Sequence, residues 1–206
     1  DPYNILAITF TNKAANEMKE RIERYIGSQS VWTSTFHSMC ARMLRYDADR
    51  IGYSTDFTIY TDLESERVVK RVLQDYPQAD PKNKGDYLWH ISRAKTLALL
   101  PDAYYDAIKN DDNDAYNIYQ VYARYEEELK KCNCMDFDDL LLKTVKLFSE
   151  CPDVLEKYQR RFQYICVDEF QDTNKLQYDI VKLLSKKSGN LFVVGDEVQS
   201  LYSWRG

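Results

Sequence analysis

The sequence predicts an α/β protein: a parallel sheet interrupted by an inserted, all-helical subdomain. Short apolar runs alternate with helical patterns at both ends of the chain, the signature of strands buried on both faces between crossover helices. About 125 residues lie between Phe36 and Tyr164, where one crossover needs only about a dozen beyond its helix. Charge follows the same division. Residues 1–50 carry 7 basic and 6 acidic side chains and residues 157–206 carry 8 and 6, but residues 51–156 carry 13 and 21. The expected organisation is a core in two parts, 1–37 and 162–206, around a helical insert at 38–161.

Each element has a local reason. Ile5-Leu6-Ala7-Ile8-Thr9-Phe10 is a short apolar run that fits a buried strand. Thr11 and Asn12 can cap the helix that follows, where Ala15, Met18, Ile22 and Tyr25 recur at helical spacing and Gly27 supplies a stop. Val31 to Phe36, β-branched and aromatic, reads as a second strand. In the insert, Thr61 with Glu64 forms a capping-box pattern ahead of Val68, Val69, Val72 and Leu73. Ile118, Val121, Tyr125 and Leu129 mark another helix, and Phe137, Leu140, Leu141, Val145 and Phe148 a third. Pro77, Pro81, Pro101 and Pro152 punctuate them. Two further apolar runs, Tyr164–Val167 and Leu191–Val194, flank a helical stripe of Leu176, Ile180, Val181 and Leu184.

Composition narrows the function classes. The 206 residues are 44% hydrophobic and 30% charged, as in folded soluble chains. A net charge of −5 argues against a generic basic nucleic-acid coat. No apolar run approaches the ~20 residues that cross a bilayer, and the first residues do not resemble a signal peptide, so no membrane partner is expected. Five cysteines at no framework spacing point to a reducing compartment, hence the cytoplasm. Cys132 and Cys134 have no second pair nearby, and the histidines His37 and His90 lie far off in sequence, which disfavours zinc.

Four strand-end segments carry chemistry. The run Tyr164–Val167 ends in Asp168 and Glu169, and ligands of open α/β sheets bind at the carboxyl ends of strands. Phosphoryl transfer needs one acid there for Mg²⁺, a role that suits Asp168, and another for the attacking water, which suits Glu169. Taken alone, the pair equally fits a strand running out into solvent. Leu191–Val194 leads into Gly195, Asp196, Gln199, Tyr202, Trp204 and Arg205. Gln199 can bond a phosphate without repulsive charge, and Trp204 beside Arg205 offers a stacking platform next to a cation, as single-stranded nucleic acid requires. A packed Trp beside a surface Arg is the blander account. Thr9-Phe10-Thr11-Asn12 places hydroxyl and amide groups at a helix start, where phosphates bind, with Phe10 available to stack or simply to fill the core. Thr35-Phe36-His37-Ser38 lies at another strand end, where a lone His is commonly structural.

Together these segments resemble the superfamily-one DNA helicases of the UvrD/Rep/PcrA family. TFTNKAANEM is similar to motif Ia, TFHS to Ib, VDEFQDTN to motif II and VGDEVQSLYSWRG to motif III, with a helical subdomain between Ib and II. The resemblance implies an incomplete RecA-like, P-loop NTPase motor core using ATP and Mg²⁺. It assigns Asp168 to the metal, Glu169 to water activation and Gln199 to sensing the γ-phosphate. It places Phe10, Thr11, Asn12, Thr35, His37, Tyr202, Trp204 and Arg205 along single-stranded DNA. It implies 3′-to-5′ movement on single strands and at single/double-strand junctions, in repair, replication or recombination.

Two departures qualify the resemblance. Val198 stands where the family has Asp. The six glycines nowhere form G-x-x-x-x-G-K-[ST], which in the family precedes motif Ia. The resemblance therefore implies a piece of a longer motor, with the remaining helicase domains as partners and negligible ATP turnover by this segment alone. Competing accounts are a non-catalytic binding module that keeps the helicase shape, a nuclease using Asp168, Glu169, Asp172 and Asp196, and a purely structural domain.

Overall fold

Four strands lie side by side in the order β2-β1-β5-β6, all parallel: β1 (Ile5–Thr9), β2 (Trp32–Thr35), β5 (Tyr164–Val167) and β6 (Leu191–Val193). This computed structural model describes residues 1–27, 30–76 and 83–196. Pro77 and Pro81 lie outside them. The central strand β1 buries Leu6, Ala7, Ile8 and Thr9, the burial on both faces that its unbroken apolar run requires. Helix α1 (Asn12–Ile26) starts where the Thr11 hydroxyl accepts from Ala14 N and stops at Gly27, whose φ of 73° suits glycine.

Helix α2 (Phe36–Asp47) begins one residue earlier than the apolar run implies. Thr35 is its N-cap, so Phe36 turns into the helix and buries beside Met39, Cys40, Met43 and Leu44. Among the described residues β6 is, with β2, an edge strand, and Leu191, Phe192 and Val193 are all exposed there.

Between β2 and β5 lies the predicted helical region. It holds α3 (Asp62–Gln74), α4 (Lys84–Thr96), α5 (Pro101–Ile108), α6 (Ala115–Lys131), α7 (Phe137–Glu150) and α8 (Pro152–Arg161). The capping box of α3 forms as expected, and Pro101 and Pro152 open α5 and α8. A two-stranded parallel ladder, β3 (Thr58–Ile59) with β4 (Cys134–Met135), closes the region's base. After β5, α9 (Lys175–Ser185) buries the expected Leu176, Ile180, Val181 and Leu184.

Two hydrophobic clusters result. One holds the sheet with α2, α7, α8 and α9; the other holds α3, α4, α5 and α6. By core membership α2, α7 and α8 pack with the sheet, although a division at 37/38 and 161/162 groups them with the insert.

The clusters meet at a buried charge network. Lys95 on α4 has no exposed surface, and its Nζ lies 2.6 Å from Asp136, 2.7 Å from Glu126 and 3.1 Å from Asp139. Lys143 on α7 reaches Glu126 at 2.9 Å and Asp139 at 3.3 Å. The Tyr125 hydroxyl donates to Asp136 at 2.9 Å. Burial alone would push the Lys95 ammonium down, but the carboxylates of Asp136, Asp139 and Glu126 hold it well above its ordinary range. Glu126 is drawn down to about 2 by the two ammoniums, against its own burial. Two ammoniums face three carboxylates, and burial pushes the surplus acid, Asp139, up to about 6.

Lys95→Met removes the shared cation and is expected to cost about 3–5 kcal/mol in denaturant unfolding. The stranded carboxylates would then have folded pKa values above their unfolded ones. The stability they lose lies on the high-pH side, so the defect should shrink on going from about pH 8 to about pH 5.

Candidate nucleotide and nucleic-acid site

Because the four strands are parallel, the segments following β1, β2, β5 and β6 leave the same edge of the sheet. The ladder aligns Thr9 with Thr35 and Ile8 with Val167, and Asp168 N donates to Ile8 O at 2.9 Å. Asp168 and Glu169 therefore emerge beside Phe10, Thr11 and Asn12, and on the same edge as Thr35 and His37. Gln199, Tyr202, Trp204 and Arg205, with Val198, lie outside the described residues.

Asp168 is half-buried and accepts from Glu169 N at 3.1 Å. It lines one end of a cleft of about 530 Å³ between α1 and the sheet, with Ala7, Ala14, Arg21 and Cys166. Glu169 is exposed and sits in the left-handed region, φ 53° and ψ 42°. A non-glycine residue there costs roughly 1–2 kcal/mol. The turn survives because its surroundings fix it: Asp172 N bonds Glu169 O at 3.0 Å, and Phe170 N bonds Val194 O at 2.8 Å.

A link between the β5 and β6 exits runs through Gln171. Its amide nitrogen donates to Glu169 Oε2 at 2.7 Å, and its Oε1 accepts from Asp196 N at 3.0 Å. Gln171 stands within the quoted VDEFQDTN segment, but no role could be read for it because its partner lies 25 residues on. Two buried oxygens near these exits, Thr9 Oγ1 and Asp172 Oδ1, have no hydrogen-bond partner within the protein.

The other expected residues divide by burial. Phe10 packs edge-on against Phe36, centroids 5.6 Å apart, with part of its ring open. Thr11 and Asn12 are exposed, and the Thr11 hydroxyl is engaged as a cap. Thr35 is buried; its hydroxyl accepts from Ser38 N and donates to Ser38 Oγ at 2.9 Å, work that is structural. The His37 ring lies 5.7 Å from Phe137 and borders a second cleft.

Among the described residues no group of three or more His, Cys, Asp or Glu side chains could hold a metal. Mg²⁺ is commonly held by one or two carboxylates plus substrate phosphates and water. Asp168 fits such a donor set. Nor is any helix among the described residues long and apolar enough to cross a membrane.

A parallel sheet with an acid pair at its carboxyl edge, interrupted by a helical insert, defines the class: an open α/β core with a second packing unit built into one crossover. The family model for the UvrD/REP helicase N-terminal domain matches residues 1–206, and the chain belongs to that family. It is 49% identical over 212 aligned residues to the ATP-dependent DNA helicase PcrA of Staphylococcus aureus, and equally so to that of Staphylococcus epidermidis. Each alignment covers 100% of this chain and 28% of the relative, so the chain spans little more than a quarter of the curated relatives it matches.

Gly195 lies where the two exits touch. A Cβ there would meet Gln171 Oε1 at 2.6 Å and Gln171 N at 3.2 Å. Gly195→Ala should push the Gln171 side chain off Asp196 N and cost about 1–3 kcal/mol. Chemical denaturation measures the loss, and unchanged stability would mean the two exits are not in contact.

Proposed function

We propose that this chain is part of an ATP-dependent DNA helicase or translocase that moves 3′ to 5′ on single-stranded DNA. What supports the reading most directly is the acid pair at the β5 exit, tied through Gln171 to the β6 exit and sharing an edge with the segments after β1 and β2. The 49% identity to PcrA, over the whole of this chain and 28% of the relative, supports the same substrate class.

Asp168, half-buried at the strand end, would hold Mg²⁺ directly or through water. The bound ion supplies charge neutralisation on the phosphates. Glu169 would take the proton of the attacking water, and its side chain is exposed at the strand end. Gln171 fixes that carboxylate from one side and reports its position to the β6 exit. Gln199 lies on the same segment as Asp196 and would respond to the γ-phosphate. Phe10, Thr11, Asn12 and His37, with Tyr202, Trp204 and Arg205, would form the strand track. Thr35 serves it indirectly, by capping the helix that carries His37. Single/double-strand junctions and the remaining helicase domains are the expected partners.

In the full-length protein, Glu169→Gln should lower DNA-stimulated ATP turnover by about 10²–10⁴-fold while leaving single-strand binding intact. Phosphate release and oligonucleotide anisotropy measure the two. Retained turnover would remove Glu169 from the chemistry. A wild-type protein that binds DNA without turning over ATP would favour a non-catalytic module instead.

A further inference from the structure

Helix α4 has two faces. One carries Tyr87, His90, Ile91, Ala94 and Lys95 into the insert's interior. The other carries Trp89, Ser92, Arg93 and Thr96, at the i, i+3, i+4, i+7 spacing of one helical stripe, and all four line a cleft of about 630 Å³. The opposite walls belong to the sheet's own packing unit: His37 at the start of α2, Asp138 and Leu141 on α7, and Asn174 and Gln177 at the start of α9. The volume falls within the roughly 300–1,000 Å³ typical of ligand clefts.

The chemistry of the stripe selects an occupant. Trp89 is 52% exposed, and the Arg93 guanidinium lies 5.0 Å from its ring centroid. The His90 ring packs edge-on 4.8 Å away, and a half-exposed indole beside a cation can stack an unpaired base and meet its phosphate. Ser92 and Thr96 add hydroxyls on the same stripe, one helical turn apart. Burial pushes the Asp138 carboxyl above its ordinary range, against the hydrogen bond from Ser92. His37, which borders this cleft, also belongs to the strand-end segments of the proposed track.

We propose that the single strand continues past His37 into this cleft, where Trp89 stacks one base and Arg93 binds the adjoining phosphate. The insert then extends the motor's nucleic-acid site, and the inference rests on the single-strand reading of the preceding subsection.

The test uses the full-length protein and fluorescein-labelled oligothymidylates of increasing length, read by anisotropy. With long oligomers Trp89→Ala should weaken binding roughly tenfold and Trp89→Phe should stay near wild type. With oligomers too short to pass His37 the variants should match wild type. Arg93→Gln should lower the slope of log affinity against log salt by about 0.7, the value for one phosphate on a single strand. Equal affinity of Trp89→Ala at every length, with an unchanged salt slope for Arg93→Gln, overturns the inference and leaves the helicase reading standing. So does a loss that is the same at every length, which would be structural. A wild-type protein that binds no oligomer overturns both.

Discussion

The candidate site depends on strand direction. Every strand of the main sheet runs the same way, and the ladder bonds Asp168 N to Ile8 O and Val194 N to Val167 O hold the strand ends level. A single antiparallel strand would send its exit segment to the far rim. Parallel pairing in turn requires crossovers that cover the sheet, so α1, α2 and α9 are needed for the site as much as the acids are.

The longest crossover leaves the sheet after β2, builds a second core and returns through α7. Its attachment is electrostatic as well as apolar: Lys95 from the insert sits among Glu126, Asp136 and Asp139, and Lys143 pairs with Glu126 and Asp139. An ion network sealed from water tolerates little change in geometry, because each displaced group leaves another charge unpaired. It therefore holds α4 in place over α7 and defines the cleft that Trp89 and Arg93 face. Stability of the joint and shape of the cleft follow from the same residues.

Much of this was readable in advance where the pattern is local. The β1 run, the Thr11 and Gly27 limits of α1, the Thr61–Glu64 box and the α9 stripe depend on neighbours within a few residues. Helix α4 escaped notice because its polar residues occupy both faces: His90 and Lys95 are buried through partners on other elements, while Arg93 and Ser92 face a cleft. The β3–β4 ladder is two residues long on each strand, too short to show a period. Phe36 looked like strand because it is aromatic; the hydroxyl of Thr35 made it helix.

The order of residues alone establishes an α/β core, an acidic helical insert, the acid pair after a strand and membership in a helicase family, since each rests on short-range periodicity or on contiguous motifs. Folding decided which distant groups meet. Gln171 finds Asp196, Lys95 finds three carboxylates, Thr35 is spent on a cap, and the apolar β6 ends at the sheet's edge with its side chains exposed. Such contacts join segments whose separation along the chain carries no periodic signal, so only the packed structure reveals them.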